Sequence, residues 1–198
     1  MHPSLLQRCK NTSLLGFALL LVLAMACSNL SGPPAVKGIP TEEMNFVRIG
    51  GAESARLTVP MARPVLGEDP IVEQSITAAE GGTLELTYNS GSASLTFTLE
   101  IPAGALPADA NISLGLASES YLVVDLGPEG MVFNVPVILK LRAESLDLSN
   151  IEFPIQMYWY NPDSDLWEEQ GATVEAELND GIIESEIELN HFSIYAWA

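Results

Sequence analysis

Residues 94–101, "SLTFTLEI", decide the fold. Leu95, Phe97, Leu99 and Ile101 fall at every second place, with Thr96, Thr98 and Glu100 between them. Side chains of an extended chain alternate between two faces, so this stretch is a strand with one apolar and one polar face. The alternation repeats outward from it. Leu84/Leu86/Tyr88 precede it, and Ile112/Leu114/Leu116, Val137/Leu139/Leu141 and Ile155/Met157/Trp159 follow, with Gly, Pro, Asn or Asp in the gaps. A closing hairpin reads Val174/Ala176/Leu178, a turn through Asn179-Asp180-Gly181, then Ile183/Ile187/Leu189. Beyond residue 71 no stretch carries the helical period, and no internal repeat suggests a solenoid or propeller. The expectation over 72–198 is an all-β fold, an antiparallel β-sandwich.

Upstream the composition changes. Arg8 and Lys10 precede the uncharged run "LLGFALLLVLAMA" at 14–26, too short to span a bilayer as a helix and suited to an export signal over 1–26. The run stops at Cys27. "LAMAC" followed by Ser28 resembles a bacterial lipobox, which implies a diacylglyceryl group on Cys27 and attachment to the cell envelope at the outer membrane. Ala24 stands where such boxes favour Leu, so ordinary secretory cleavage after Ala26 is the alternative. Residues 27–43 are rich in Ser, Gly and Pro and are expected to be a flexible tether. Residues 44–71 form an N-terminal extension in which "MNFVRI" and "ARLTVP" are candidate short strands, and their basic character suggests that they lie against the acidic domain.

Cysteine and charge narrow the function classes. The other cysteine, Cys9, lies inside the export signal, so a processed chain has neither a disulfide nor a thiol metal site. The whole chain has 8 Lys+Arg against 26 Asp+Glu. Without residues 1–26 this becomes 6 against 26, and after residue 72 only Lys140 and Arg142 face 21 acids. Such a surface is a poor partner for nucleic acid or anionic lipid.

Three stretches resemble the ZU-five domain, the β-sandwich of zonula occludens proteins and netrin receptors: "EGGTLEL" at 80–86, "LEIPAGALPADANISL" at 99–114 and "VVDLGPEGMVFNVPVILKL" at 123–141. Gly104 is the residue free to take positive φ in the turn after Pro102. The resemblance implies a ZU-five-like sandwich that holds proteins together, so the expected partners are the membrane, through the anchor, and another protein. No turnover chemistry is expected.

The same resemblance raises one chemical alternative. In some such domains a His-Phe-Ser tripeptide breaks between Phe and Ser, and here His191, Phe192 and Ser193 supply it. His191 would act as general base on the Ser193 hydroxyl, which attacks the preceding carbonyl of a strained peptide. The competing reading is a final strand in which Phe192 and Ile194 plug the core while His191, Ser193, Tyr195 and Trp197 share its other face. The closing hairpin offers a second alternative: Glu175, Glu177, Glu184, Glu186 and Glu188 all point away from its apolar face. Like charges paired across strands cost stability, and calcium or a basic partner would relieve that cost; a solvated acidic face is the competing reading. "NPDSD" at 161–165 spaces acids like a calcium loop but has Leu166 where the loop glycine belongs, so a β-turn is expected. Trp159 and its neighbouring tyrosines would suit a glycan platform, but its alternation with Ile155 and Met157 places it in the core. No cofactor is expected.

Overall fold

The period-two segments become two stacked sheets. The computed structural model describes residues 38–49, 70–149, 151–177 and 181–198. Within them run β1 (Ile71–Ile76), β2 (Gly82–Ser90), β3 (Ala93–Ile101), β4 (Ala110–Leu116), β5 (Val123–Gly127) and β6 (Val132–Glu144). These are followed by β7 (Gln156–Asn161), β8 (Leu166–Thr173), β9 (Glu175–Glu177), β10 (Ile182–His191) and β11 (Ile194–Trp197). One sheet has the order β1-β4-β5-β11-β7-β8 and the other β2-β3-β6-β10-β9. Every pairing is antiparallel. The protein is an all-β antiparallel sandwich.

Inner faces follow the alternation. Leu95, Phe97 and Leu99 of β3 are fully buried against Leu84 and Leu86 of β2, Leu139 and Leu141 of β6, and Trp197 from the opposite sheet. At about 25 cal/mol per Å² of apolar area removed from water, these interdigitated faces supply the main drive to fold.

The three stretches that carry the family resemblance converge at one end of the sandwich. Gly104 N–H donates to the Ala78 carbonyl at 2.7 Å, and Ala78 N–H donates to Asp109 Oδ1 at 2.8 Å. Asn134 N–H donates to the Ala105 carbonyl at 2.9 Å, so the start of β6 holds the loop in place while Ala105 and Leu106 are buried beneath it. Gly104 has φ +78°. Gly81, also left-handed at φ +69°, would set a Cβ 2.1 Å from the Ile101 carbonyl oxygen, so no other residue fits there.

Residues 38–49 correct the expected end of the tether. Ile39 exchanges both backbone hydrogen bonds with Trp167 at 2.7 and 2.8 Å, and Thr41 Oγ1 accepts from Trp167 Nε1 at 3.1 Å. Phe46 packs edge-on against Trp167 at 5.3 Å, and Val47 and Ile49 enter the main core. The physical reason is an apolar outer face: Phe46, Val123, Tyr160, Trp167 and Ala196 form a second buried cluster on the far side of the six-stranded sheet. The chain covers that face from residue 38 onward. "MNFVRI" at 44–49 contributes isolated bridges from Arg48 to Tyr121 and Asp147 rather than a strand. Cys27, the expected export signal, the expected tether up to residue 37 and "ARLTVP" lie outside the described residues.

Candidate functional site

His191, Phe192 and Ser193 form a corner between the sheets. β10 ends at His191 in the five-stranded sheet, and β11 begins at Ile194 in the six-stranded one. The register against β6 already slips between Leu189 and His191. The expected faces of the last strand are therefore corrected. Phe192 does plug the core, edge-on to Phe133 at 4.6 Å, but Tyr195 and Trp197 join it there while Ile194 and Ala196 turn to the outer cluster. A strand that changes sheets must re-aim its inner face, and the two corner residues absorb that rotation.

The corner is tied down by a set of hydrogen bonds. Tyr195 Oη donates to the His191 carbonyl at 2.7 Å, a tyrosine corner in form. Phe192 N–H donates to the Met131 carbonyl at 2.9 Å, Gly130 N–H donates to the Phe192 carbonyl at 3.0 Å, and Leu126 N–H donates to the Ser193 carbonyl at 3.1 Å. Ser193 Oγ donates to the Tyr160 carbonyl at 2.9 Å, and the residue is only 4% exposed. None of the three corner residues takes a positive φ or a cis peptide bond. Pairing on this scale is what a buried crossover needs, because an orphaned buried N–H or C=O costs about 1–3 kcal/mol.

The chemistry the corner offers differs from the sequence expectation. His191 Nδ1 lies 3.4 Å from the Phe192 carbonyl oxygen and 3.4 Å from Tyr195 Oη, with its ring edge-on to Trp159 at 4.8 Å. It faces the carbonyl that would be attacked, and the attacking hydroxyl is held by Tyr160 instead. Burial drives the Tyr195 phenol far above its ordinary range, so Tyr195 keeps the proton it donates.

Cations of its own chain serve part of the acidic hairpin. Lys140 and Arg142 project from β6 onto the outer face of the five-stranded sheet, opposite Glu186 and Glu184 of β10. Lys140 Nζ reaches Glu100 at 2.7 Å and Glu186 at 3.7 Å, while Arg142 pairs with Glu144 at 2.7 Å and with Glu184. The Glu100 hydrogen bond raises the Lys140 pKa above its ordinary value. Glu188 is exposed opposite Ile138. The backbones of Glu175 and Glu177 pair with Glu184 and Ile182, and their side chains lie outside the described part. Among the described residues no group of three or more His, Cys, Asp or Glu is placed to hold a metal ion.

The 161–165 segment closes as a turn. Asn161 Oδ1 accepts from Asp163 N–H at 3.0 Å, Asn161 Nδ2 donates to Glu168 at 2.7 Å, and Tyr160 Oη donates to Asp165. Burial, then the Asp165 carboxylate, pushes Tyr160 up to about 12. Trp159 packs on the main core from its rim, beside His191, in line with its alternation.

Sequence reasoning missed Tyr195, Gly130, Tyr160 and Phe46. The available signal for Tyr195 was its place four residues after His191, where a phenol can reach back across a corner. Compared with protein-family models, curated proteins and solved structures, the chain matches none.

Proposed function

We propose that this chain is an exported, lipid-anchored interaction module of the ZU-five type, fixed to the envelope through Cys27 and displaying its sandwich to another protein without turnover chemistry. The observation that carries the reading is the strap. The last part of the expected tether is bonded to β8 at Ile39 and the chain after it is inserted through Phe46, Val47 and Ile49, so a pull on the anchor is borne by the sandwich itself. Among the described residues no element covers the outer face of the five-stranded sheet, and its charges are arranged in cross-strand rows. Two experiments test this reading. Cys27→Ser should abolish labelling by a fatty-acid analogue and move the protein out of the detergent phase, because stable anchoring requires more than one acyl chain. A photoreactive side chain at Glu188, irradiated on intact cells, should give one discrete protein adduct; detergent partitioning that ignores the mutation, or no adduct at any exposed position of either sheet, refutes the reading.

One observation favours a second reading, self-cleavage between Phe192 and Ser193. The Phe192 carbonyl accepts from Gly130 N–H and has His191 Nδ1 3.4 Å away, two polar groups where an oxyanion would form. Intact mass under denaturing conditions tests it: a chain lacking its last six residues, restored by Ser193→Ala, would establish the cut.

A further inference from the structure

We propose that β2 is a strand-addition site that takes an extended, basic segment of another protein as a further strand of the five-stranded sheet. This rests on the interaction-module reading above and names the surface and the kind of partner. A sheet edge presents unpaired N–H and C=O groups, and soluble proteins blunt such edges with short strands, bulges, proline, inward polar residues or a covering segment. Among the described residues the other edges carry such devices. β9 has only three residues. β8 is bridged by Ile39, and its register against β7 shifts between Gln156 and Tyr158. β1 follows Pro70 and sets exposed Gln74 on the face it shares with buried Ile112.

β2 has none of these over residues 82–89, and only its last residue, Ser90, sets a polar side chain on the inner face. Its nine residues pair with β3 without a register shift, contain no proline or lysine, and have no partner on their far side among the described residues. An added strand would set alternate apolar side chains beside Leu84, Leu86 and half-buried Tyr88. Its other side chains would lie along Thr83, exposed Glu85 and Thr87. Glu80 and Glu100 line a shallow depression that also takes in Gly82 and Thr83 at the start of β2. The occupant follows from charge: Lys140 and Arg142 are the only cations against 21 acids beyond residue 72, so the domain's field draws a basic segment and repels a second copy.

The probe is a capped peptide of alternating lysine and valine, nine residues long to match β2, titrated against the full-length chain. Binding is read by fluorescence anisotropy and located by amide hydrogen exchange. The expected result is saturable binding that weakens with salt, slowed exchange confined to 82–90, and about five-fold weaker binding to Glu85→Lys. Two peptides N-methylated at alternate amides decide the mode. One is methylated at every lysine and the other at every valine, and strand pairing requires that one binds and the other fails, because only alternate amides face the edge. Equal binding by both, protection elsewhere, or no binding at low salt overturns the proposal. Protection elsewhere would still leave an interaction module. Concentration-dependent protection of 82–90 without peptide would make a second copy the occupant, and likewise overturns it.

Discussion

Tyr195→Phe isolates the bond that pins the corner. The substitution removes one oxygen, the donor to the His191 carbonyl at 2.7 Å, and leaves a fully buried ring in place, so no cavity is made. A buried carbonyl that loses its donor costs about 1–3 kcal/mol. For a chain of this size that is a fall in Tm of about 3–9 °C. The pH dependence supplies an independent sign. The folded phenol pKa is raised by burial, so the tyrosine's contribution is complete below the unfolded value of about 10 and is lost as pH climbs toward the folded value. Wild type therefore weakens in alkali through a group that the Phe variant lacks, and the gap between the two proteins must narrow above about pH 10. Thermal unfolding followed by circular dichroism at neutral and alkaline pH reads both effects. Equal Tm values at neutral pH, or a gap that widens in alkali, would refute the tyrosine corner. His191→Ala provides the contrast: it keeps the carbonyl and should cost less, since it removes only the ring contacts to Trp159 and Tyr195.

Three further outcomes are expected. Phe46→Ala should destabilise the fold by about 3–5 kcal/mol, the usual cost of emptying a large aromatic site, with a red shift in tryptophan emission as water reaches Trp167. Gly104→Ala, where φ is +78° but space is open, should cost about 1–2 kcal/mol, whereas Gly81→Ala must also displace the Ile101 carbonyl and should yield little folded protein. Arg142→Met should lower Tm at low salt and much less at high salt, because its pairs with Glu144 and Glu184 are half-exposed and screened by ions.

The sandwich was legible wherever a strand has one wet face. β2, β3, β4 and β6 declare themselves by alternation, and their inner residues are those that the alternation names. The signal fails where both faces are covered. β5 buries Val124 in the main core and Val123 in the outer cluster, and β11 does the same with Tyr195 and Ala196, so alternation carries no phase there. The corner escaped for a related reason: nothing in "NHFSIYAWA" marks a change of sheet by composition, since the break is made with tertiary hydrogen bonds and no glycine. The strap was hidden differently. It follows directly on a run of Ser, Gly and Pro that reads as linker, and the apolar face that recruits it becomes visible only when Val123, Tyr160, Trp167 and Ala196 are brought together.

The corner also changes what His191 could do if the Phe192–Ser193 bond were cut. Freeing the Ser193 hydroxyl from the Tyr160 carbonyl costs about 1–3 kcal/mol, a factor of roughly five to 160 in rate, which slows attack without forbidding it. The base is the harder requirement. His191 Nδ1 faces the Phe192 oxygen, where it is placed to donate to a developing oxyanion, while Ser193 Oγ is held by the Tyr160 carbonyl. Gly130 N–H supplies the same oxygen with a second donor, so removing the imidazole should leave part of the rate if the ring acts as a donor and almost none if it acts as the base. A time course of intact mass for His191→Ala and wild type separates the two. A chain that stays whole in every sample would mean that the tripeptide serves only to turn the chain from one sheet to the other.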